Sequence, residues 1–486
     1  MKPSHLAILL CSALTHAVAA EKPNILFIAV DDLRPEFGAY GSPIVKSPNL
    51  DALAAKGLLF ERAYCQQAVC SPSRSSLLTG TRPDTTKVWD LETHFRKALP
   101  DLVTLPQHFK NHGYHVQGMG KLYHGSLDDP QSWSVPWSTP KTAAYGLPEN
   151  TQMTARKADK AKKAGMKGKT ANRANRGPAF EAADVPDNTF HDGALADMAI
   201  KTLRELKEKN QPFWLGVGFL KPHLPFVAPK KYWDLYDPAK IELAKVTSRP
   251  KGSPDYAIGA GGEMRAYEGI PNGHIPDDLA RQLKHGYYAS ISYMDAQVGR
   301  VVAELERLGL RENTIIILWG DHGWKLGEYD AWCKHTNVEL DTNTPLIVSV
   351  PGQKSVGKKT RALVEFVDIY PSLAELCALP LPQHLEGTSF APLIENPEKP
   401  WKEAAFSQYP RDVAGKKLMG YSMRTDRYRF TRWVGRNDHS KVDAIELYDH
   451  ETDPMEMLNI GNNPESKELV EKLTAQWKAG WRTAAK

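Results

Sequence analysis

Asn24-Ile-Leu-Phe-Ile-Ala-Val30, followed at once by Asp31 and Asp32, is the stretch on which the fold turns. Its length suits a strand, and the absence of polar alternation predicts one covered on both faces, as in a parallel sheet. Thr314-Ile-Ile-Ile-Leu-Trp319 repeats the layout, and Gly320-Asp-His-Gly323 repeats the acidic ending. Further strands are predicted at 114–119, 212–219 and 345–350, with helices over 47–56, 105–112, 190–206 and 277–308. Strands alternating with helices imply an α/β fold: a large doubly wound, mainly parallel sheet flanked by helices. From about residue 400 short alternating runs predict a smaller antiparallel sheet, closed by a helix from Pro464 to Trp481.

Adjacent carboxylates such as Asp31 and Asp32 repel each other unless a cation offsets them, although an Asp-Asp pair opening a loop is often only solvated turn chemistry. Asp321 and His322 end the matching strand, and three Asp carboxylates offer hard oxygen ligands suited to Ca²⁺ or Mg²⁺. His322 by itself would also admit Zn²⁺. Lys121 and His124 follow the strand ending at Met119, and His223 sits in the Pro-stiffened loop Lys221-Pro-His-Leu-Pro-Phe226. Both places are carboxyl ends of strands, where open α/β sheets bind ligands.

Cys70-Ser-Pro-Ser-Arg74, continuing Ser-Ser-Leu-Leu-Thr-Gly80, reads as a helix with Ser71 as its cap, Pro72 in its first turn and Gly80 at its end. Cys70 is then expected just before the helix start, where free N–H groups and the helix dipole attract an anion. Arg74 adds a fixed positive fork one turn in. Two readings of Cys70 stand at this point: a buried structural residue or a thiolate nucleophile.

The chain has 486 residues, enough for one large α/β domain and a smaller one. Lys2, an apolar run from Leu6 to Leu14 and the small residues Ala17-Val-Ala-Ala20 read as an export signal over residues 1–20, which implies a periplasmic or secreted protein. Cys11 would suit lipid attachment, but Leu10 before it is larger than such a site prefers. A catalytic unit over 21–395 and a C-terminal subdomain over 396–486 are expected, and no later stretch is long and apolar enough to span a membrane. Net charge is +5, which gives little reason to expect nucleic acid. Nine Lys or Arg against the single acid Asp159 lie between Arg156 and Arg176, inside a segment at 126–187 read as a long, partly flexible insertion. Cys65, Cys70, Cys333 and Cys377 are too widely spread for a disulfide framework, and Cys70 is expected to be unpaired.

The run from Cys70 to Gly80 resembles the sulfatase signature, and Asp321-His-Gly-Trp-Lys-Leu-Gly-Glu328 resembles the iduronate-2-sulfatase branch of that type I family. The resemblance implies the alkaline phosphatase-like fold and oxidation of Cys70, by a formylglycine-generating or equivalent maturation enzyme, to formylglycine, whose hydrate is the nucleophile. It further implies that Asp31, Asp32, Asp321, His322 and residue 70 hold one divalent ion, usually Ca²⁺, and that Arg74, Lys121, His124, His223 and Lys334 surround the sulfate. The implied activity is hydrolysis of a sulfate ester on a sulfated oligosaccharide or polysaccharide, with a 2-O-sulfated uronic acid such as iduronate suggested by the branch. A phosphomonoesterase, phosphodiesterase or phosphonate hydrolase on the same fold, and an inactive protein that only captures sulfated glycans, are the alternatives. Branch members often read Leu-Gly-Glu-His-Gly where this chain has Leu326-Gly-Glu-Tyr-Asp330, a departure that bears on the sugar more than on the chemistry.

Overall fold

The structure, a computed structural model, describes residues 22–259 and 261–484. The predicted leader, residues 1–20, lies outside them. In chain order the first strands are β1 (Asn24–Val30), β2 (Leu58–Tyr64), β3 (His115–Gly120), β4 (Phe180–Ala183), β5 (Phe213–Phe219) and β6 (Phe226–Pro229). β7 (Thr314–Gly320), β8 (Lys325–Leu326), β9 (Trp332–Cys333), β10 (Asn343–Ser349), β11 (Lys358–Thr360) and β12 (Val364–Glu365) follow. The main sheet has the order β11-β2-β10-β7-β1-β5-β3, with β12 added beside β2.

β1 lies in the middle, parallel to both β5 and β7, and every residue of it is buried. Successive strand side chains point to opposite faces. Leu26, Ile28 and Val30 therefore pack toward the helices His191–Lys209 and Asp277–Arg307, among Leu195, Leu203, Ile291 and Val298. Ile25, Phe27 and Ala29 pack on the other face with Leu77, Leu105, Phe109 and Tyr370. Each fully buried Leu, Ile or Phe contributes roughly 1.5–3 kcal/mol, so a strand apolar on both faces is stable only between two such layers.

β10 runs antiparallel to both of its neighbours, β7 and β2, so the sheet is mixed at that point. The link from β7 to β10 folds as the β8–β9 hairpin and the single helical turn Glu339–Thr342, without the crossover helix that a parallel return needs. β2 is a strand that the sequence reading leaves unassigned, because the charged pair Glu61-Arg62 interrupts its apolar run. The basic insertion is also more regular than predicted. In place of a partly flexible segment, it forms the helices Pro148–Lys163 and Gly168–Ala174 before β4, which pairs in parallel with β6. The longer helix buries just Asn150 and Ala161, so no apolar stripe marks it, although its Ala and Lys residues favour helix.

The second sheet is the expected antiparallel meander, β13 (Ala404–Val413), β14 (Lys416–Thr425), β15 (Tyr428–Gly435) and β16 (Asp438–Asp449). Ala404, Met423, Phe430 and Leu447 on one face meet Leu473 of the helix Lys467–Ala479. Ser407 Oγ donates to Cys65 O at 2.6 Å, and the buried Arg429 guanidinium bridges Glu339 and Glu456. These contacts seat the small sheet against the loop that leads to Cys70.

Candidate active site

Pairing of β1 with β7 sets Val30 beside Gly320, so Asp31-Asp32 and Asp321-His322 leave the sheet side by side at its carboxyl edge. The Asp321 N–H donates to Val30 O and the Asp32 N–H donates to Asp321 Oδ1, each at 3.0 Å. Asp32 stands in the left-handed region with φ 59°, a strained conformation of the kind that collects at functional sites. All four side chains are withdrawn from solvent.

The helix Cys70–Thr79 brings Cys70 Sγ to 3.4 Å from Asp31 Oδ1 and 3.3 Å from His322 Nε2. Its start corrects the predicted cap. Extended Val69 (φ −160°, ψ 144°) is the N-cap, so the helix begins at Cys70 and Ser71 lies inside its first turn. Gly80 ends it as expected, with φ 66°. Ligand atoms of Asp31, Cys70, Asp321 and His322 all lie within 4.8 Å of one another. His322 Nδ1 lies 3.1 Å from Gly323 O; with the proton assigned there, Nε2 turns its lone pair toward the carboxylates.

Two glycines place Lys121. A Cβ on Gly120, where φ is 67°, would sit 2.3 Å from Gly218 O, and a Cβ on Gly218 would sit 2.2 Å from Lys121 O. Without side chains the two strand ends press together, and Lys121 Nζ pairs with Asp31 Oδ2, 3.6 Å from Cys70 Sγ. Lys334 lies between two residues at positive φ, Cys333 (70°) and His335 (86°). Its Nζ is 2.9 Å from Asp32 Oδ1 and 4.8 Å from the centre of the Trp324 ring. His223 Nε2 is 3.8 Å from Asp32 Oδ2, and its Nδ1 is 2.6 Å from Leu224 O.

Burial, and after it the Asp31 charge, push the Cys70 thiol well above its ordinary range. It is held protonated and unpaired, which argues against the thiolate reading. Burial raises Asp31, but Lys121, His223 and Arg74 outweigh it and hold this carboxyl low. Burial would discharge Lys334, yet Asp32 and Glu263 keep it firmly protonated. His124 is pushed down to about 3 by burial and by Lys121, so its imidazole is neutral.

The sequence pattern of the family described as Sulfatase matches residues 23–378, the whole of the main sheet and this cluster. The chain belongs to the sulfatase family. A second pattern, N-sulphoglucosamine sulphohydrolase, C-terminal, matches residues 327–481 of this sulfatase. Iduronate 2-sulfatase of Mus musculus is 36% identical to it, over 95% of this chain and 96% of that protein. The Homo sapiens iduronate 2-sulfatase is 35% identical over 93% of each chain. Among solved structures, the phosphonate monoester hydrolase of Agrobacterium radiobacter matches with TM-score 0.72 at 22% identity, over 95% of both chains, a likeness of fold alone. This sulfatase is a sulfuric ester hydrolase, and its family works with a divalent metal and a formylglycine.

The buried cluster fits both requirements: three carboxylates and one imidazole nitrogen converge on the position of Cys70, whose Sγ stands where the oxygens of a hydrated aldehyde would be. The structure brings Asp31, Asp32, Cys70, Asp321, His322, Lys121, His223 and Lys334 to this one seat. Arg74 departs from the expectation that it borders the sulfate. Its Nε is 2.8 Å from Asp321 Oδ2, its Nη2 is 3.4 Å from Asp31 Oδ1, and its Nη1 donates to Lys121 O and Leu122 O. All three nitrogens are engaged and the side chain is fully buried, so it braces the carboxylates from behind. One residue of the site was not anticipated. Glu263 bonds to both His223 and Lys334, and it comes from a loop without periodicity or motif, which carries no local signal.

Proposed function

We propose that this sulfatase removes sulfate from a sulfated carbohydrate, with a 2-O-sulfated uronic acid such as iduronate as the sugar that bears it. The observation that carries the reading is the seat itself: Cys70 Sγ within 3.6 Å of Lys121 Nζ, Asp31 Oδ1 and His322 Nε2 at the end of the central strands. The choice of sugar draws on the likeness to iduronate 2-sulfatase along nearly the whole chain.

Asp31, Asp32, Asp321, His322 and residue 70 would hold one ion, Ca²⁺ in preference to Mg²⁺ because Ca²⁺ accepts a variable set of mainly oxygen ligands whereas Mg²⁺ demands a near-ideal octahedron. A bound ion would supply Lewis-acid neutralisation of sulfate oxygens, and a formylglycine at residue 70 would supply a geminal diol as the nucleophile. The remaining work falls to side chains. Lys121 and Lys334, paired here with Asp31 and Asp32, are the cations that would turn to sulfate oxygens as negative charge builds. His223, or Lys334, protonates the departing sugar oxygen, and His124 is the candidate base for the proton whose loss expels sulfate. Export through the leader and maturation of Cys70 by a formylglycine-generating or equivalent enzyme belong to the same reading. Among the described residues no helix is long and apolar enough to cross a membrane.

Release of inorganic sulfate from a 2-O-sulfated uronate disaccharide and from 4-nitrophenyl sulfate, beside phosphate release from 4-nitrophenyl phosphate, tests the proposal. Sulfate turnover is expected to exceed phosphate turnover, and to vanish in Cys70→Ala. Faster phosphate turnover favours the phosphohydrolase alternative. Mass spectrometry of the peptide around residue 70 should show the thiol replaced by an aldehyde, and an active enzyme with only unmodified Cys70 overturns the mechanism.

A further inference from the structure

Glu263 stands at the start of the short turn Met264–Ala266, in the loop that joins β6 to the long helix Asp277–Arg307. Its two carboxylate oxygens take different partners. Oε1 lies 3.1 Å from His223 Nε2 and Oε2 lies 2.7 Å from Lys334 Nζ. These are the two groups assigned above to the side of the site from which the alcohol departs. His223 is thereby held at both ring nitrogens, since Nδ1 faces Leu224 O at 2.6 Å. With Nδ1–H and Nε2–H both spent on acceptors the ring is fixed in place, and the N–H left over for a leaving oxygen is the third one on Lys334, whose other two meet Asp32 and Glu263.

The loop that carries Glu263 is itself tied down. Arg176 Nη1 donates to Glu263 O at 2.7 Å, and the Arg176 guanidinium lies 4.6 Å from the centre of the Tyr267 ring. Glu268 N–H donates to Gly177 O at 2.9 Å, Lys157 Nζ donates to Arg176 O at 2.9 Å, and Met264 is fully buried. Arg176 and Lys157 belong to the basic insertion, whose cations otherwise have no part in the site. The insertion therefore buttresses the Glu263 backbone from outside the sheet.

We propose that Glu263 is a positioning residue for departure of the alcohol: its carboxylate fixes Lys334 Nζ, the donor that keeps an uncommitted N–H for the leaving oxygen, and locks the His223 ring beside it, while the basic insertion holds Glu263 in place. The inference rests on the sulfatase reading above. In the step concerned a nucleophile oxygen at residue 70 would bond to sulfur as the sulfur–oxygen bond to the alcohol breaks, the electron pair of that bond stays on the alcohol oxygen, and a proton from Lys334 adds to it. Glu263 neither gives nor takes a proton. A charged acceptor between two donors is the arrangement that fixes both, and the substitution Glu263→Gln would remove the charge and present an amide N–H to one of them.

The test uses the full-length, matured, metal-loaded enzyme and a series of aryl sulfates whose phenols range from strongly to weakly acidic. A good leaving group departs without a proton, whereas a poor one needs it, and a positioned acid contributes about 10²–10⁴ in rate. In Glu263→Gln, kcat is expected to fall by about tenfold or more on the least acidic phenol and by less than about threefold on 4-nitrophenyl sulfate, so that the plot of log kcat against leaving-group acidity steepens. Glu263→Asp should show the same bias at smaller size, and Arg176→Ala should reproduce it without touching the carboxylate. Thermal melts check that each variant is folded. An equal loss across the series, or no loss, overturns the proposal, because general damage to the pocket slows every substrate alike. A wild-type enzyme that hydrolyses no sulfate ester defeats the sulfatase reading instead, and the two failures are told apart by the wild-type arm.

Discussion

Arg74 Nε donates to Asp321 Oδ2 at 2.8 Å, with both side chains fully withdrawn from solvent. The same guanidinium reaches Asp31 and the carbonyls of residues 121 and 122, so one cation fixes a carboxylate on each of two neighbouring strands and the turn that carries Lys121. Arg74→Ala leaves those carboxylates buried without their partner, a loss on the order of 3–5 kcal/mol. The expected outcome is a lowered denaturant midpoint together with loss of activity. Arg74→Lys keeps the charge but not the fork, and should recover part of the stability and little of the activity. Urea unfolding and sulfate release measure the two effects separately.

Removal of the divalent ion is expected to lower the melting temperature. An ion that binds the native state alone adds about 2.7 kcal/mol at a hundred times its dissociation constant. Protein treated with a chelator should melt several degrees lower and recover more fully with Ca²⁺ than with Mg²⁺. Asp321→Asn, which removes a carboxylate from the cluster, should abolish the response to either ion. A chelator-treated enzyme that keeps its activity and melting point counts against the metal.

Gly218→Ala places a methyl group 2.2 Å from the Lys121 carbonyl, a backbone atom that cannot step aside. The strand end must shift, at a cost of about 1–3 kcal/mol. A displacement near 1 Å at a reacting group costs about a hundredfold in rate. Gly273→Ala, where a Cβ meets nothing within 4 Å, is the control and should leave both stability and rate unchanged.

Glu339 ties the small sheet to the main one through Arg429 and Arg424. Burial pushes its carboxyl up, but the two guanidiniums outweigh it and hold it at about 2. A carboxyl lowered on folding stabilises the protein fully above its unfolded value and loses that contribution as pH falls toward the folded one. The melting temperature of the wild type should therefore drop as pH is lowered from about 5 toward about 3. Glu339→Gln should start lower at neutral pH and show a flatter slope over the same interval, as read by calorimetry at each pH.

The parts of the molecule that depend on neighbouring residues are legible in the sequence. β1, β5 and β7 show as unbroken apolar runs, the helix Cys70–Thr79 by the Pro72 and Gly80 signals at its ends, and the four-stranded meander by short alternating runs. The acidic and basic residues at the strand ends show too, since a buried parallel strand exposes chemistry only at its carboxyl edge. The helix in the basic insertion and strand β2 escaped, because one has no apolar face and the other is interrupted by Glu61 and Arg62.

Tertiary structure decided what no local pattern encodes. Local pattern names the side chains that stand at each strand end; folding adds that Arg74 braces the carboxylates from behind, that β10 reverses direction, and that Glu263 closes on His223 and Lys334. The physical reason is range. Periodicity and capping act over a few residues, whereas strand register and loop convergence join groups as distant as Asp31 and Asp321, and those contacts exist only once the two hydrophobic layers have closed around the sheet.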